Sequence, residues 1–279
     1  GLAVMRVIDA QVHTYERNHK ARPWIGELTG PEEVTGDNMV KEMDRVGVDG
    51  AILVSPWSMY RYDASYAVDV FEKFPNKFRL VKPVDPSDLE VGEIIQEWAK
   101  VKGAVAVRLM MAYADSGNAN NCGLDIVMKT ASRCNFPVNL LCWGNLNEVG
   151  RLAKRHPNTR LVIDHLGLCQ PFDFPVPDQP FSELQKVIEL ASFDNITIKI
   201  TGACTLSHQS FPYTDIWKPL EKIFTRFSLE RCMWGTDWTR AVKLVSYKES
   251  VDCFLDNSSL SSDEKAQLMG KTVENIYGW

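Results

Sequence analysis

The chain has 279 residues, 45% of them hydrophobic and 24% charged, with a formal net charge of -5. That length can bury an ample core, as two ordinary domains or one large α/β barrel, and the charge balance lacks the basic excess that nucleic-acid binding needs. No apolar run approaches the roughly 20 residues that span a bilayer, and Gly1–Met5 is too short for a signal peptide, which argues against a membrane or exported protein.

The seven cysteines are Cys122, Cys134, Cys142, Cys169, Cys204, Cys232 and Cys253. They are scattered and never form a C-x-x-C pair, so neither a disulfide framework nor a zinc knuckle is indicated, and a reducing cytoplasm fits.

In chain order, residues 4–12 read as a strand ending Ile-Asp-Ala-Gln-Val-His, in which Asp9, Gln11 and His13 alternate onto one side. The polar stretch 14–33, with Tyr15, Arg17, His19, Arg22 and Trp24, is longer than a connection requires and reads as a substrate loop, with His19 itself a solvated surface residue. Asp37 opens a helix with Met39, Val40, Met43 and Val46 at helical spacing, and Gly47 stops it. Residues 50–55 form a second strand, a helix opens at Asp63, and 78–84 is a strand cut by Pro83. Asp88 caps a helix running to Val101, followed by a strand at 104–110, a helix at 122–134, a strand at 136–142 and a helix at 146–156.

Residues 161–168, Leu-Val-Ile-Asp-His-Leu-Gly-Leu, are an apolar run that breaks off in an acid, a histidine and a glycine, as a buried parallel strand does at its carboxyl end. The stretch 171–180 carries Pro171, Pro175, Pro177 and Pro180 and reads as a stiff surface excursion. A helix at 181–191, a strand at 195–200, a helix at 216–227, a strand at 232–235 and a helix at 263–277 complete the chain.

Eight strands, each followed by a helical pattern, predict a single (β/α)8 TIM barrel over residues 1–279. No G-x-G-x-x-G or G-x-x-x-x-G-K-[ST] sequence follows any strand, so the usual signals for a dinucleotide or a phosphate loop are missing. In a barrel the carboxyl ends of the strands share one mouth, which gathers Asp9, Gln11, His13, Arg108, His165, Lys199 and Asp237. Asp237 beside His13 and His165 suits a general base acting on water, with a histidine polarising a carbonyl and Arg108 holding a substrate carboxylate. Arg108 and Lys199 read equally well as buried ion-pair partners, and His165 as a core imidazole satisfied by a backbone carbonyl.

Ile8-Asp9-Ala10-Gln11-Val12-His13, Val162-Ile163-Asp164-His165-Leu166-Gly167, Ile198-Lys199-Ile200-Thr201-Gly202, Trp234-Gly235-Thr236-Asp237-Trp238 and Glu274-Asn275-Ile276-Tyr277-Gly278 carry a resemblance along the whole chain. Together they resemble the amidohydrolase superfamily, and within it the amidohydrolase-related branch. That branch contains metal-independent 2-pyrone-4,6-dicarboxylate lactonase, sugar-acid lactonases and zinc-dependent decarboxylases. The resemblance implies a barrel with its site at the strand ends and a small-molecule substrate.

The sequence departs from the branch at two places. The usual His-x-His of the first strand is Gln11-Val12-His13, and the fifth strand offers Leu141, Cys142 and Trp143 where a metal-binding member has histidine. A zinc site needs about three protein ligands, and His13 with Asp237 supplies two unless His165 or Cys142 joins them. The expectation is a metal-independent lactonase without a cofactor, with Asp237, His165 and His13 catalytic and Gln11, Arg108, Lys199, Trp57, Tyr60 and Arg61 in contact with substrate. A zinc-dependent decarboxylase or amidohydrolase using His13, Asp237 and His165 as ligands is the alternative, and a non-catalytic binding barrel is a third. Cys142 and Cys169 are candidate nucleophiles near His165, though buried cysteines of this kind are commonly inert core. Trp57, Tyr60, Arg61 and Tyr62 form either an aromatic wall for a planar acid or packing under a loop. Nothing in the sequence opposes a homo-oligomer.

Overall fold

A computed structural model describes residues 5–26, 30–113 and 121–279. The eight strands are β1 (Ile8–Val12), β2 (Gly50–Val54), β3 (Phe78–Pro83), β4 (Ala104–Leu109), β5 (Val138–Leu140), β6 (Leu161–Ile163), β7 (Ile196–Lys199) and β8 (Cys232–Met233). They pair in parallel in that order. Closure comes from Ala10 N–H to Trp234 O at 3.2 Å and Asp237 N–H to Gln11 O at 2.9 Å, which join the last strand's end to the first. The expected (β/α)8 barrel is therefore the fold.

Alternation along the strands separates two apolar layers. Ile8, Ala10, Ile52, Val54, Val81, Ala106, Val162 and Met233 fill the barrel interior. Residues between them, such as Leu53, Leu80, Val107, Leu140 and Ile163, pack outward against the helices. Val273 and Tyr277 join the interior cluster from the last helix, Thr272–Tyr277. Trp279 lies against Gly50, the first residue of β2, so this terminal segment stops the amino-terminal end of the barrel and leaves the carboxyl ends for chemistry.

Several boundaries move. Thr35, not Asp37, caps the Gly36–Val46 helix, its side chain accepting from Asn38 N–H, while Asp37 sits in the first turn; Gly47 ends the helix at φ 79 as expected. The helix expected from Asp63 begins at Ser65, whose N–H the Asp63 carboxylate accepts. The strands expected at 136–142, 161–168 and 232–235 shorten to three, three and two residues, because their carboxyl ends turn into the mouth. The helix expected at 181–191 narrows to Leu184–Glu189, and Tyr247–Leu255 is a helix the sequence reading passed over. Among the described residues no helix is long and apolar enough to cross a membrane.

Asp9 stitches the seam between β8 and β1. Its buried carboxylate accepts from Gln11 N–H (3.1 Å), Thr236 N–H (2.9 Å), the Thr236 hydroxyl (2.6 Å) and the Tyr247 hydroxyl (3.1 Å). Truncation would strand these donors away from water. Asp9→Ala is expected to cost about 3 kcal/mol or more, measured by urea unfolding; a loss below about 1 kcal/mol would show that the seam does not depend on it.

Candidate active site

The carboxyl ends of β1, β4, β6, β7 and β8 bring His13, Arg108, Asp164, His165, Lys199 and Asp237 together, and every one of them is buried. Asp9 does not join them. The β1–β2 register shifts between Asp9 and Val12, which breaks the simple alternation and leaves Asp9 in the seam with Thr236 and Tyr247.

Asp237 is the centre of the group. It follows β8 in the left-handed region, φ 47 and ψ 36, a conformation that aspartate tolerates better than most residues. Its Oδ1 lies 3.1 Å from His13 Nε2, and its Oδ2 lies 2.7 Å from Arg240 Nε and 3.3 Å from His165 Nε2. Burial alone would raise this carboxyl, but His13, His165 and Arg240 outweigh it and hold the group well below the usual carboxylate range.

The two imidazoles are held differently. His13 Nδ1 is 2.6 Å from Val54 O, and a carbonyl can only accept, so Nδ1 carries a hydrogen and Nε2 is the nitrogen turned toward Asp237 Oδ1. His165 follows β6 in a tight turn where His165, Leu166 and Gly167 all have positive φ (55, 59 and 70). Thr201 Oγ1 accepts the His165 N–H at 3.2 Å and lies 2.7 Å from His165 Nδ1. The network thus assigns the hydroxyl hydrogen to Nδ1 and the ring hydrogen to Nε2, facing Asp237. Burial pushes His165 down to about 3, only partly opposed by Asp237, so the ring is neutral.

A second layer lies beneath. Lys199 Nζ donates to Gln11 Oε1 at 3.1 Å and sits 3.4 Å from Asp164 Oδ1. Arg108 Nε donates to Asp164 Oδ2 at 2.8 Å. Burial works to raise the Asp164 carboxyl, and the Lys199 and Arg108 charges bring it below its ordinary value. Because an ammonium can only donate, Lys199 fixes the Gln11 amide with its nitrogen 3.4 Å from His13 Nε2 and 3.5 Å from His165 Nε2. Gln11 and Lys199, expected to touch substrate, are fully buried under the floor and do not line the cavity.

Above that floor lies a cavity of about 110 Å³ lined by His13, His165, Asp237, Arg108 and Arg240. Among the described residues Arg108 spends only its Nε on Asp164, which leaves its terminal nitrogens for a ligand. Trp57 lines the cavity and stacks on Tyr113 at 5.2 Å, and Tyr113 meets Trp143 edge-on at 6.5 Å. Tyr60 and Arg61 stand outside the lining. Tyr60 is buried with its hydroxyl accepting Glu16 N–H, and Arg61 covers the Trp57 ring at 4.0 Å while bonding Trp57 O and Ser58 O. They support the Trp57 wall. His19 is on the surface with Glu16. Cys142 is in the core, where burial pushes its thiol up and removes it as a nucleophile, while Cys169 is an exposed part of the cavity lining.

Sequence reasoning missed Arg240 and Tyr113. Arg240 had a signal, three residues beyond Asp237 in Gly-Thr-Asp-Trp-Thr-Arg, but the return of its side chain onto Asp237 depends on the short turn over Trp238–Arg240.

A zinc ion would need His13, His165 and Asp237 as donors. The Arg240 guanidinium already occupies Asp237 Oδ2, and the lysine-oriented amide of Gln11 sets its nitrogen, a donor, 3.4 Å from His13 Nε2 and 3.5 Å from His165 Nε2. Among the described residues no group of three or more His, Cys, Asp or Glu is spaced to hold an ion. Cations and donors facing the same atoms oppose a divalent metal, so this set does not fit one.

His165 makes a pH prediction. Its folded value, about 3, lies below the ordinary 6.5, so the unfolded chain binds the additional proton between those values and stability contributed by the neutral ring is lost as pH falls from 6.5 toward 3. Urea unfolding across that range is expected to show a steeper acid loss in wild type than in His165→Gln; equal slopes would place the protonated ring in the fold.

The amidohydrolase family profile matches residues 31–279, which leaves β1 with Gln11 and His13 outside the matched span. A 4-sulfomuconolactone hydrolase from Hydrogenophaga intermedia is 26% identical over 255 residues, 89% of this chain and 80% of that protein. A 4-sulfomuconolactone hydrolase from Rhizobium radiobacter is 35% identical over 199 residues, 70% of this chain and 63% of that protein. The crystal structure of an amidohydrolase from Burkholderia multivorans with bound zinc has a TM-score of 0.82 at 19% identity, over 98% of this chain and 99% of that one, a likeness of fold. With the barrel, its mouth and this match over most of its length, the chain belongs to the amidohydrolase family.

Proposed function

We propose that this amidohydrolase opens a carboxylate-bearing lactone with water aligned by Asp237 and without a metal. The observation that carries the reading is Asp237 Oδ1, a buried carboxylate oxygen with no aligned hydrogen-bond donor among the described residues, on a side chain that lines a cavity together with Arg108. Relatives named as lactone hydrolases support hydrolysis of an ester bond. The misfit of the donor set with a divalent cation supports metal independence.

The chemistry follows from the geometry. A water hydrogen-bonded to Oδ1 attacks the lactone carbonyl carbon, and its proton passes to the pair formed by Oδ1 and His13 Nε2, 3.1 Å apart. A carboxylate held so low is a weak base alone, and His13 Nε2 is the neighbour with which it shares the proton. The carbonyl oxygen gains charge beside the Arg108 guanidinium, whose terminal nitrogens are donors already placed in a dry site. When the ring C–O bond breaks, the departing oxygen takes the proton back, giving a hydroxy acid. The aromatic wall of Trp57, Tyr113 and Trp143 suits a flat ring, and Arg108 suits its carboxylate. The cysteines are all free, which supports a reducing, cytoplasmic setting.

Purified protein is expected to carry well under one equivalent of transition metal by elemental analysis and to keep its activity in chelator; stoichiometric zinc with chelator-sensitive turnover would overturn metal independence. On a panel of carboxylated lactones followed by pH-stat, Asp237→Asn is expected to lower kcat by roughly 100-fold or more. Arg108→Met is expected to raise KM for carboxylated lactones by roughly 10- to 100-fold, with neutral lactones little affected. Carbon dioxide release in place of ring opening would replace the lactonase reading with a decarboxylase.

A further inference from the structure

Arg240 touches the Asp237 carboxylate and nothing in the lactonase chemistry above uses it. Its three guanidinium nitrogens each meet a different acceptor: Nε to Asp237 Oδ2 at 2.7 Å, one terminal nitrogen to Pro171 O at 3.0 Å and the other to Gln170 Oε1 at 2.8 Å. A planar fork bound on all three nitrogens has no rotation left, and Phe172 lies against it at 5.1 Å.

Gln170 is fixed in turn. Its amide nitrogen donates to Thr201 O at 3.0 Å and His165 O at 3.3 Å, so its oxygen must face Arg240. Gly202 makes the room, since a Cβ there would lie 2.0 Å from Gln170 Oε1 and 2.9 Å from an Arg240 terminal nitrogen, at a φ of 73. The segments after β6, β7 and β8 therefore converge on one guanidinium.

We propose that Arg240, held by Gln170, is a positioning residue that clamps Asp237 by Oδ2 and so presents Oδ1 to the attacking water. The two carboxylate oxygens are unequal for this reason. Oδ2 takes Arg240 and His165, whereas among the described residues Oδ1 has only His13 Nε2 beside it and no aligned donor. The clamp also explains a feature that hydrolysis alone does not, a cation set against the proton acceptor. It sacrifices some basicity for one fixed orientation, and misplacement by about 1 Å can cost about 100-fold in rate.

The activity test rests on the lactonase reading, and a crystallographic one does not. With a carboxylated lactone, Arg240→Met is expected to lower kcat roughly 10- to 100-fold while KM stays within about threefold. Gln170→Met, which removes only the holder, is expected to lower kcat less, and the double variant to be no worse than Arg240→Met, because the two act as one unit. Arg240→Lys keeps the charge without the fork and is expected not to rescue. A KM rise confined to carboxylated lactones with kcat retained would make Arg240 a substrate anchor, and full activity in Arg240→Lys would make it a mere charge; either outcome overturns the clamp. If wild type opens no lactone, the lactonase reading fails and crystal structures decide the clamp. A turned Asp237 carboxylate in Arg240→Met, or in Gln170→Met should the first variant not fold, supports it, and an unmoved carboxylate overturns it.

Discussion

The site exists only because the barrel closes. His13 follows the first strand and Asp237 follows the last, so the 3.1 Å contact between them is made across the seam where β8 meets β1. That seam is short of ladder hydrogen bonds, with β8 only two residues long, and Asp9 compensates by gathering four donors from both sides of it. Fold and site share one piece of structure, since whatever loosens Asp9 also separates Asp237 from its imidazole neighbour His13.

Beyond the seam, charge is stacked in two tiers. The lower tier, Lys199, Asp164 and Arg108 with Gln11, is closed to the cavity except for the far end of Arg108. The upper tier, Asp237 with His13, His165 and Arg240, lines it. Burying this many charges is costly unless each is paired, and the pairing also determines what each group offers upward. Lys199 decides which way the Gln11 amide faces, and Asp164 decides which end of Arg108 is free. Thr201, by donating to His165 Nδ1, decides which imidazole nitrogen carries hydrogen.

The same arrangement bears on how a divalent cation would fare at this mouth, where cations and donors already face Asp237 and the two imidazoles. At the end of β1 the Gln11 amide offers N–H donors rather than a lone pair, and Arg240 adds a fixed cation on the Asp237 carboxylate. Charge that a metal would supply is thus spread over lysine and arginine side chains already in place.

Much of this was legible in the sequence. Alternating apolar strands and helical stretches determined the parallel barrel, and barrel geometry then placed His13, Arg108, His165 and Asp237 at one mouth, because a strand's carboxyl end is a position that periodicity reveals. What only the tertiary structure decided is which of the strand-end residues face the cavity. A register shift turned Asp9 into the seam, and full burial put Gln11 and Lys199 beneath the floor. Tyr60 became support behind Trp57, and Arg240 returned onto Asp237 from a turn with no periodic signature. The direction of a side chain beyond the last regular strand residue depends on backbone angles such as the positive φ of His165 and Asp237, and those are imposed by contacts between segments far apart in the chain.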